Sequence, residues 1–132
     1  MAKFLTPLIT TKVGPQLWEL YTDFVFLSDK YPGLFIAPKG FVTNFASIPR
    51  IFWRIFPPVD NYDPAAVIHD AGYNHKLVTE HGERIHTVKP IADRLFYEAL
   101  MVCGTGRIKS KIMYELVTKF GKPDPTPWLN RS

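Results

Sequence analysis

Three ionisable residues carry the sharpest chemical signal in this chain: His69, Asp70 and Asp93. A neutral imidazole takes a proton from water when a carboxylate behind it fixes its tautomer and stabilises the imidazolium. A second carboxylate, adjacent but facing elsewhere, is free to hold a hard cation that polarises a carbonyl. By type, His69 is the base, Asp93 its orienting carboxylate and Asp70 a metal ligand. The Tyr73 hydroxyl is a second hydrogen-bond partner for the orienting carboxylate. That set describes a water-activating hydrolase site. It also fits a buried structural bridge between His69 and Asp93, with Asp70 capping or facing solvent. Spacing alone leaves both readings open.

Two helices must position these groups. Asp63 ahead of Pro64 is an N-cap with proline in the first helical position, opening a helix that runs to about Lys76. From Pro64 to Ile68 it carries no charge and is apolar all round, which marks a buried helix. His69 and Tyr73 share one face, and Asp70 points about 100° away. Two ionisable groups inside such a helix are costly unless paired or used. Pro90 opens a second helix to Cys103, with Ile91, Ala92, Leu95, Phe96, Ala99, Leu100 and Cys103 as its apolar arc. Asp93 sits at the edge of that arc, and Arg94 and Glu98 lie on the wet side. Antiparallel packing of the two helices brings Asp93 to His69.

The remaining elements follow from turn chemistry. Gly104–Thr105–Gly106 ends the second helix, and a third runs from Arg107 to Phe120 with Ile108, Ile112, Leu116 and Phe120 as its inward stripe. Gly121 closes it. The first half reads as strands: Trp18 to Leu27 as one, then Leu34–Ala37 and Gly40–Thr43 as a hairpin or bent pair through Pro38–Lys39–Gly40. Ser28 to Gly33 is a turn, Ser47 before Pro49 starts a short helix, and Thr79 to Val88 is a loop. The expected fold is α+β: small N-terminal antiparallel strands packed on three C-terminal helices, the His-Asp helix central. Residues 1–121 form one domain, and 122–132 form a Pro-rich tail.

Bulk composition narrows the function classes. With 46% apolar and 21% charged residues the chain is globular, and 14% aromatics imply an aromatic core. The net charge of +4 is spread without a run of five basic residues, which argues against specific nucleic-acid binding. Cys103 stands alone, so no internal disulfide forms and a reducing compartment fits. The N-terminus lacks an apolar signal region, and no stretch is long enough to span a bilayer; synthesis and folding in the cytosol follow.

Weaker constellations accompany the helix pair. A Ser47–His69–Asp93 triad lacks the strained elbow that exposes a nucleophilic serine. His75, His81 and His86 match no familiar zinc spacing and read as solvated loop residues. The Ile51, Phe52, Trp53, Ile55 and Phe56 cluster reads as core packing before it reads as a partner or membrane patch. Gly104 to Arg107 reads as a plain turn rather than an anion site.

The blocks GFVTNFASIPR, AAVIHDAGY, IADRLFYEAL and KIMYELVTKFG, in that order from about Pro38 to Gly121, resemble a phage and prophage family catalogued as domain of unknown function 1353. Its HD-x-x-Y block is His69, Asp70 and Tyr73 here. Members usually carry Asp where this chain has Asn44; as a metal ligand Asn44 keeps an oxygen and loses the charge. More narrowly, HD-x-x-Y on one helix and AD-x-x-F on the next are similar to the helix pair of phospholipases A2. That resemblance implies His69 as general base, Asp70 as calcium ligand (zinc being the lesser alternative), Asp93 as orienter and Tyr73 in support. It lacks the glycine-rich calcium loop before His69. The two resemblances together imply a phage protein made in the bacterial host cytoplasm and incorporated in the virion, meeting other virion proteins or envelope lipid. Its function is then metal-dependent ester hydrolysis in entry or lysis, or a non-enzymatic structural role.

Overall fold

The structure, a computed structural model, describes residues 1–15, 17–44 and 63–123. Ser47, the helix start at Pro49, the Ile51–Phe56 cluster and the tail from residue 124 lie outside the described residues. The elements run β1 (Lys3–Phe4), β2 (Thr10–Gly14), β3 (Leu17–Leu20), β4 (Phe24–Leu27), β5 (Leu34–Ala37), β6 (Val42–Thr43), α1 (Asp63–Tyr73), α2 (Lys89–Val102) and α3 (Arg107–Phe120). The expected α+β order, strands first and helices after, is what the chain adopts.

The strands form two small antiparallel sheets, ordered β1-β4-β5 and β2-β3-β6. The single strand expected from Trp18 to Leu27 is two strands, one in each sheet. Thr22 and Asp23 interrupt it: the Asp23 carboxylate accepts the Lys39 N–H at 2.7 Å, and Tyr21 N–H donates to Ile9 O at 2.8 Å. The bend hands the chain from one sheet to the other. The pair expected from β5 and Gly40–Thr43 is likewise split, β5 joining β4 and β6 joining β3. The turn at Ser28–Gly33 does make the β4–β5 hairpin, with Leu27 facing Leu34 and Gly33 at φ +85°.

Alternation along β4 and β5 turns Phe24, Phe26, Phe35 and Ala37 inward, onto the buried face of α1. Ala65, Ala66, Val67, Ile68 and Ala71 are sealed in that core, as an uncharged helix requires. α1 ends at Tyr73, three residues before the expected Lys76. His75 at φ +56° turns the chain out of the helix, and Lys76 N–H closes back on Ala71 O at 2.8 Å.

Two expectations about helix faces fail. Ile108, Ile112 and Phe120 of α3 are exposed, and Ser110, Met113 and Val117 are the buried positions. A row of strict four-residue steps advances about 40° per step around a helix and winds off a single contact face. α3 packs on α2 through the mixed three- and four-residue spacing instead. Glu98, placed on the wet side by sequence, is buried because the β4–β5 turn lies over it. Ser28 Oγ donates to its carboxylate at 3.1 Å and the Asp29 N–H at 2.6 Å.

Candidate functional site

α1 and α2 approach closely because Gly72 faces Ala92; a Cβ on Gly72 would lie 3.1 Å from the Ala92 Cβ. That contact sets His69 opposite Asp93. The imidazole Nε2 lies 2.8 Å from Asp93 Oδ1, and the Tyr73 hydroxyl donates to the same oxygen at 2.5 Å. The other carboxylate oxygen accepts from Lys89 Nζ at 2.7 Å. His69 is 1% exposed and Asp93 2%. The imidazole lies between two tilted rings, 4.1 Å from Tyr73 and 4.6 Å from Phe96 centroid to centroid.

The electrostatics follow from burial and partners. Burial pushes the His69 pKa below the ordinary imidazole value, outweighing the bond and charge of Asp93, which act to raise it. Burial acts to raise Asp93, but the hydrogen bonds from His69, Lys89 and Tyr73 outweigh it and hold the carboxyl below the usual range. Burial, then the bond to an anion, pushes the Tyr73 hydroxyl up. At neutral pH the centre is therefore a neutral imidazole, a carboxylate, a phenol and an ammonium. The Nε2 proton points at Asp93, so Nδ1 is the basic nitrogen.

Lys89 is the member that sequence reading missed. Besides Asp93 it donates to Val117 O at 2.7 Å and Thr118 O at 3.1 Å, tying the start of α2 to the last turn of α3. A cation on those last carbonyls also offsets the negative end of the helix. Its signal was the four-residue step from Lys89 to Asp93 across Pro90. Gly121 lets α3 close over the centre: a Cβ there would overlap the Tyr73 hydroxyl and the Val117 carbonyl.

Asp70 stands apart from this network, as its 100° offset requires. Its carboxylate is bonded by the Thr43 side chain from β6 and accepts from Asn74 Nδ2 at 2.9 Å. Burial raises its pKa, against the lowering effect of Thr43, His69 and Asn74. Asn44 follows Thr43 directly and is exposed. As a cation site the pair is thin: calcium takes about six to eight oxygens. Among the described residues no group of three or more His, Cys, Asp or Glu side chains is placed to hold a metal ion. Of the other histidines, His81 and His86 are exposed, while His75 is buried with its ring 5.3 Å from that of His86. Burial pushes the Cys103 thiol up to about 11, so it is a poor nucleophile at neutral pH.

The family profile described as "Protein of unknown function (DUF1353)" matches residues 18–117, and the chain belongs to that family. No curated protein and no solved structure matches the chain. Among the described residues no helix is long and apolar enough to cross a membrane.

Proposed function

We propose that this DUF1353 member is a non-enzymatic structural protein of a phage particle, in which the His69–Asp93 pair fastens helices. The observation that carries this reading is the closure of the imidazole: 1% exposed, flanked by two rings, opposite a carboxylate whose two oxygens already serve three donors. A general base must come within about 2.6–3.2 Å of the proton it takes, directly or through one water. The particle assignment draws on the resemblance of four sequence blocks to phage and prophage proteins. Partners would then be other virion proteins.

One observation favours the second reading, a phospholipase-A2-like ester hydrolase acting on envelope lipid. Orientation of Nε2 toward Asp93 leaves a neutral, correctly tautomeric imidazole, and Asp70 lies beside it on the helix. In that reading His69 is the base, Asp93 the orienter, Tyr73 its support, and Asp70 with Asn44 the calcium ligands.

Hydrolysis of phospholipid vesicles and simple esters, with millimolar calcium, separates the two. The structural reading expects no turnover by the wild type and no calcium-dependent rise in melting temperature. It also expects a loss of about 2–4 kcal/mol in His69→Ala, from the vacated core volume and the weakened carboxylate centre. Calcium-dependent turnover that His69→Gln abolishes at near-normal stability, with an Asp70→Asn variant blind to calcium, establishes the hydrolase instead.

A further inference from the structure

α3 keeps one face on the core and turns the other to solvent. Ser110, Met113 and Val117 point inward, Tyr114 meets Tyr97 of α2 with ring centroids 5.5 Å apart, and Lys89 holds the last turn through Val117 O and Thr118 O. Two rows at four-residue steps run side by side over the outer surface. One is Arg107, Lys111, Glu115 and Lys119, all exposed; the next begins with Ile108 and Ile112. Ile108 is 79% exposed and Ile112 45%, whereas Met113, one position on, is sealed. A single exposed isoleucine needs no explanation. Two of them one turn apart, beside a cationic row, make an amphipathic face directed away from the core.

Charge gathers on the same helix, although no five basic residues are contiguous. Between Ala99 and Pro123 stand Arg107, Lys109, Lys111, Lys119 and Lys122, and one acid, Glu115. With 16 basic and 12 acidic residues in the whole chain, this stretch accounts for the entire net charge of +4, and the rest balances. In the tail beyond it, Asp124 and Arg131 cancel. Glu115 lies four residues from both Lys111 and Lys119, and one carboxylate does not neutralise two cations. The acids of α2 are engaged elsewhere, Asp93 with His69 and Lys89, Glu98 with Arg94 and the β4–β5 turn. Among the described residues no carboxylate forms an ion pair with Arg107, Lys111 or Lys119. Lys109 and Phe120 make other contacts and are not needed for the face.

The occupant must take cations and isoleucines together. A second copy of the chain would set cation against cation, and a nucleic-acid backbone would leave Ile108 unused. Protein interfaces are depleted in lysine. An anionic bilayer suits both rows, its phosphates meeting the cations while the isoleucines enter the acyl boundary. With 14 residues, about 21 Å of helix, α3 is too short to span a bilayer and lies along its surface.

We propose that the outer face of α3 docks on an anionic lipid bilayer, Ile108 and Ile112 entering the interface and Arg107, Lys111 and Lys119 meeting headgroup phosphates. The proposal stands whether the His69–Asp93 centre is a fastener or a base. The test is flotation of the whole protein with phosphatidylcholine vesicles, with and without phosphatidylglycerol, at low and at physiological salt. Binding is expected on the phosphatidylglycerol vesicles, at least about tenfold weaker without the anionic lipid, and reduced by salt. Lys111→Gln and Lys119→Gln should each weaken it about fivefold. Ile108→Gln should weaken it about tenfold, and the less exposed Ile112 less when changed to Gln. All four sites are exposed, so melting temperatures should stay within about 3 °C of wild type. Lys12→Gln, on β2, should bind like wild type. Absence of flotation with phosphatidylglycerol vesicles overturns the proposal, as does flotation that Ile108→Gln and Lys111→Gln leave unchanged. Duplex DNA or polyglutamate bound as tightly as the vesicles assigns the face to a nucleic acid or an acidic protein and overturns it too. So does a dimer in sedimentation that Ile108→Gln dissociates.

Discussion

α2 carries two buried carboxylates five residues apart, and they are satisfied by opposite means. Asp93 meets an imidazole, a phenol and an ammonium, and joins α1, α2 and the end of α3. Glu98 meets a serine hydroxyl and a backbone N–H, with Arg94 at 3.7 Å, and joins α2 to the β4–β5 turn. One centre is built from the residue types of an active site; the other is an ordinary turn fastener. Yet both do the same mechanical work, holding a second element against α2 through a desolvated carboxylate. A histidine facing an aspartate is therefore not by itself a signature of catalysis in this fold, where buried carboxylates join elements on two sides of one helix.

Removing a carboxylate from each side measures the difference. Asp93→Ala should have the largest effect, about 3–5 kcal/mol by urea unfolding, because it strands the half-buried ammonium and the buried phenol together. Gly121→Ala should follow at about 1–3 kcal/mol, since its methyl cannot fit under Tyr73 without moving α3. Glu98→Gln keeps an acceptor for the Asp29 N–H and should cost only about 1–2 kcal/mol. A Glu98→Gln loss equal to that of Asp93→Ala would show the two centres to be equivalent, and the imidazole to add nothing.

The same contrast shows what was legible in the sequence. The helices, the burial of α1, and the meeting of His69, Tyr73 and Asp93 all followed from local periodicity and proline or glycine punctuation. Glu98 did not, because its partners are a turn some seventy residues away, and a glutamate four residues after an arginine looks like any solvated pair. Nor did the α3 face: Ile108 and Ile112 carry the right residue types, and only the direction from which α2 and Lys89 approach decides that Met113 and Val117 are inward. The break at Thr22–Asp23 was hidden in a run that alternates well enough for one strand, since strand periodicity does not record which sheet a strand joins.

The smallest effect is the pH dependence of the Asp93 centre, and it tests whether the imidazole inside it is neutral. With its folded pKa below the unfolded value of about 6.5, His69 takes up a proton in the unfolded chain before it does so in the folded one. Stability must then fall as pH drops from 7 toward 5.5. Asp93, with its carboxyl held low, contributes in this window a constant stabilisation that is lost only at more acid pH. Asp70 works in the other sense, its raised pKa adding stability on acidification, so the measurement must isolate His69. The difference between wild type and His69→Gln does so, because the other histidines and Asp70 are common to both. Wild type should lose up to about 1 kcal/mol more than the variant between pH 7 and 5.5. A wild type that instead gains stability relative to His69→Gln over that range carries a protonated His69. Asp93 would then face two cations rather than one, and its contrast with Glu98 would rest on charge pairing rather than on a neutral hydrogen bond.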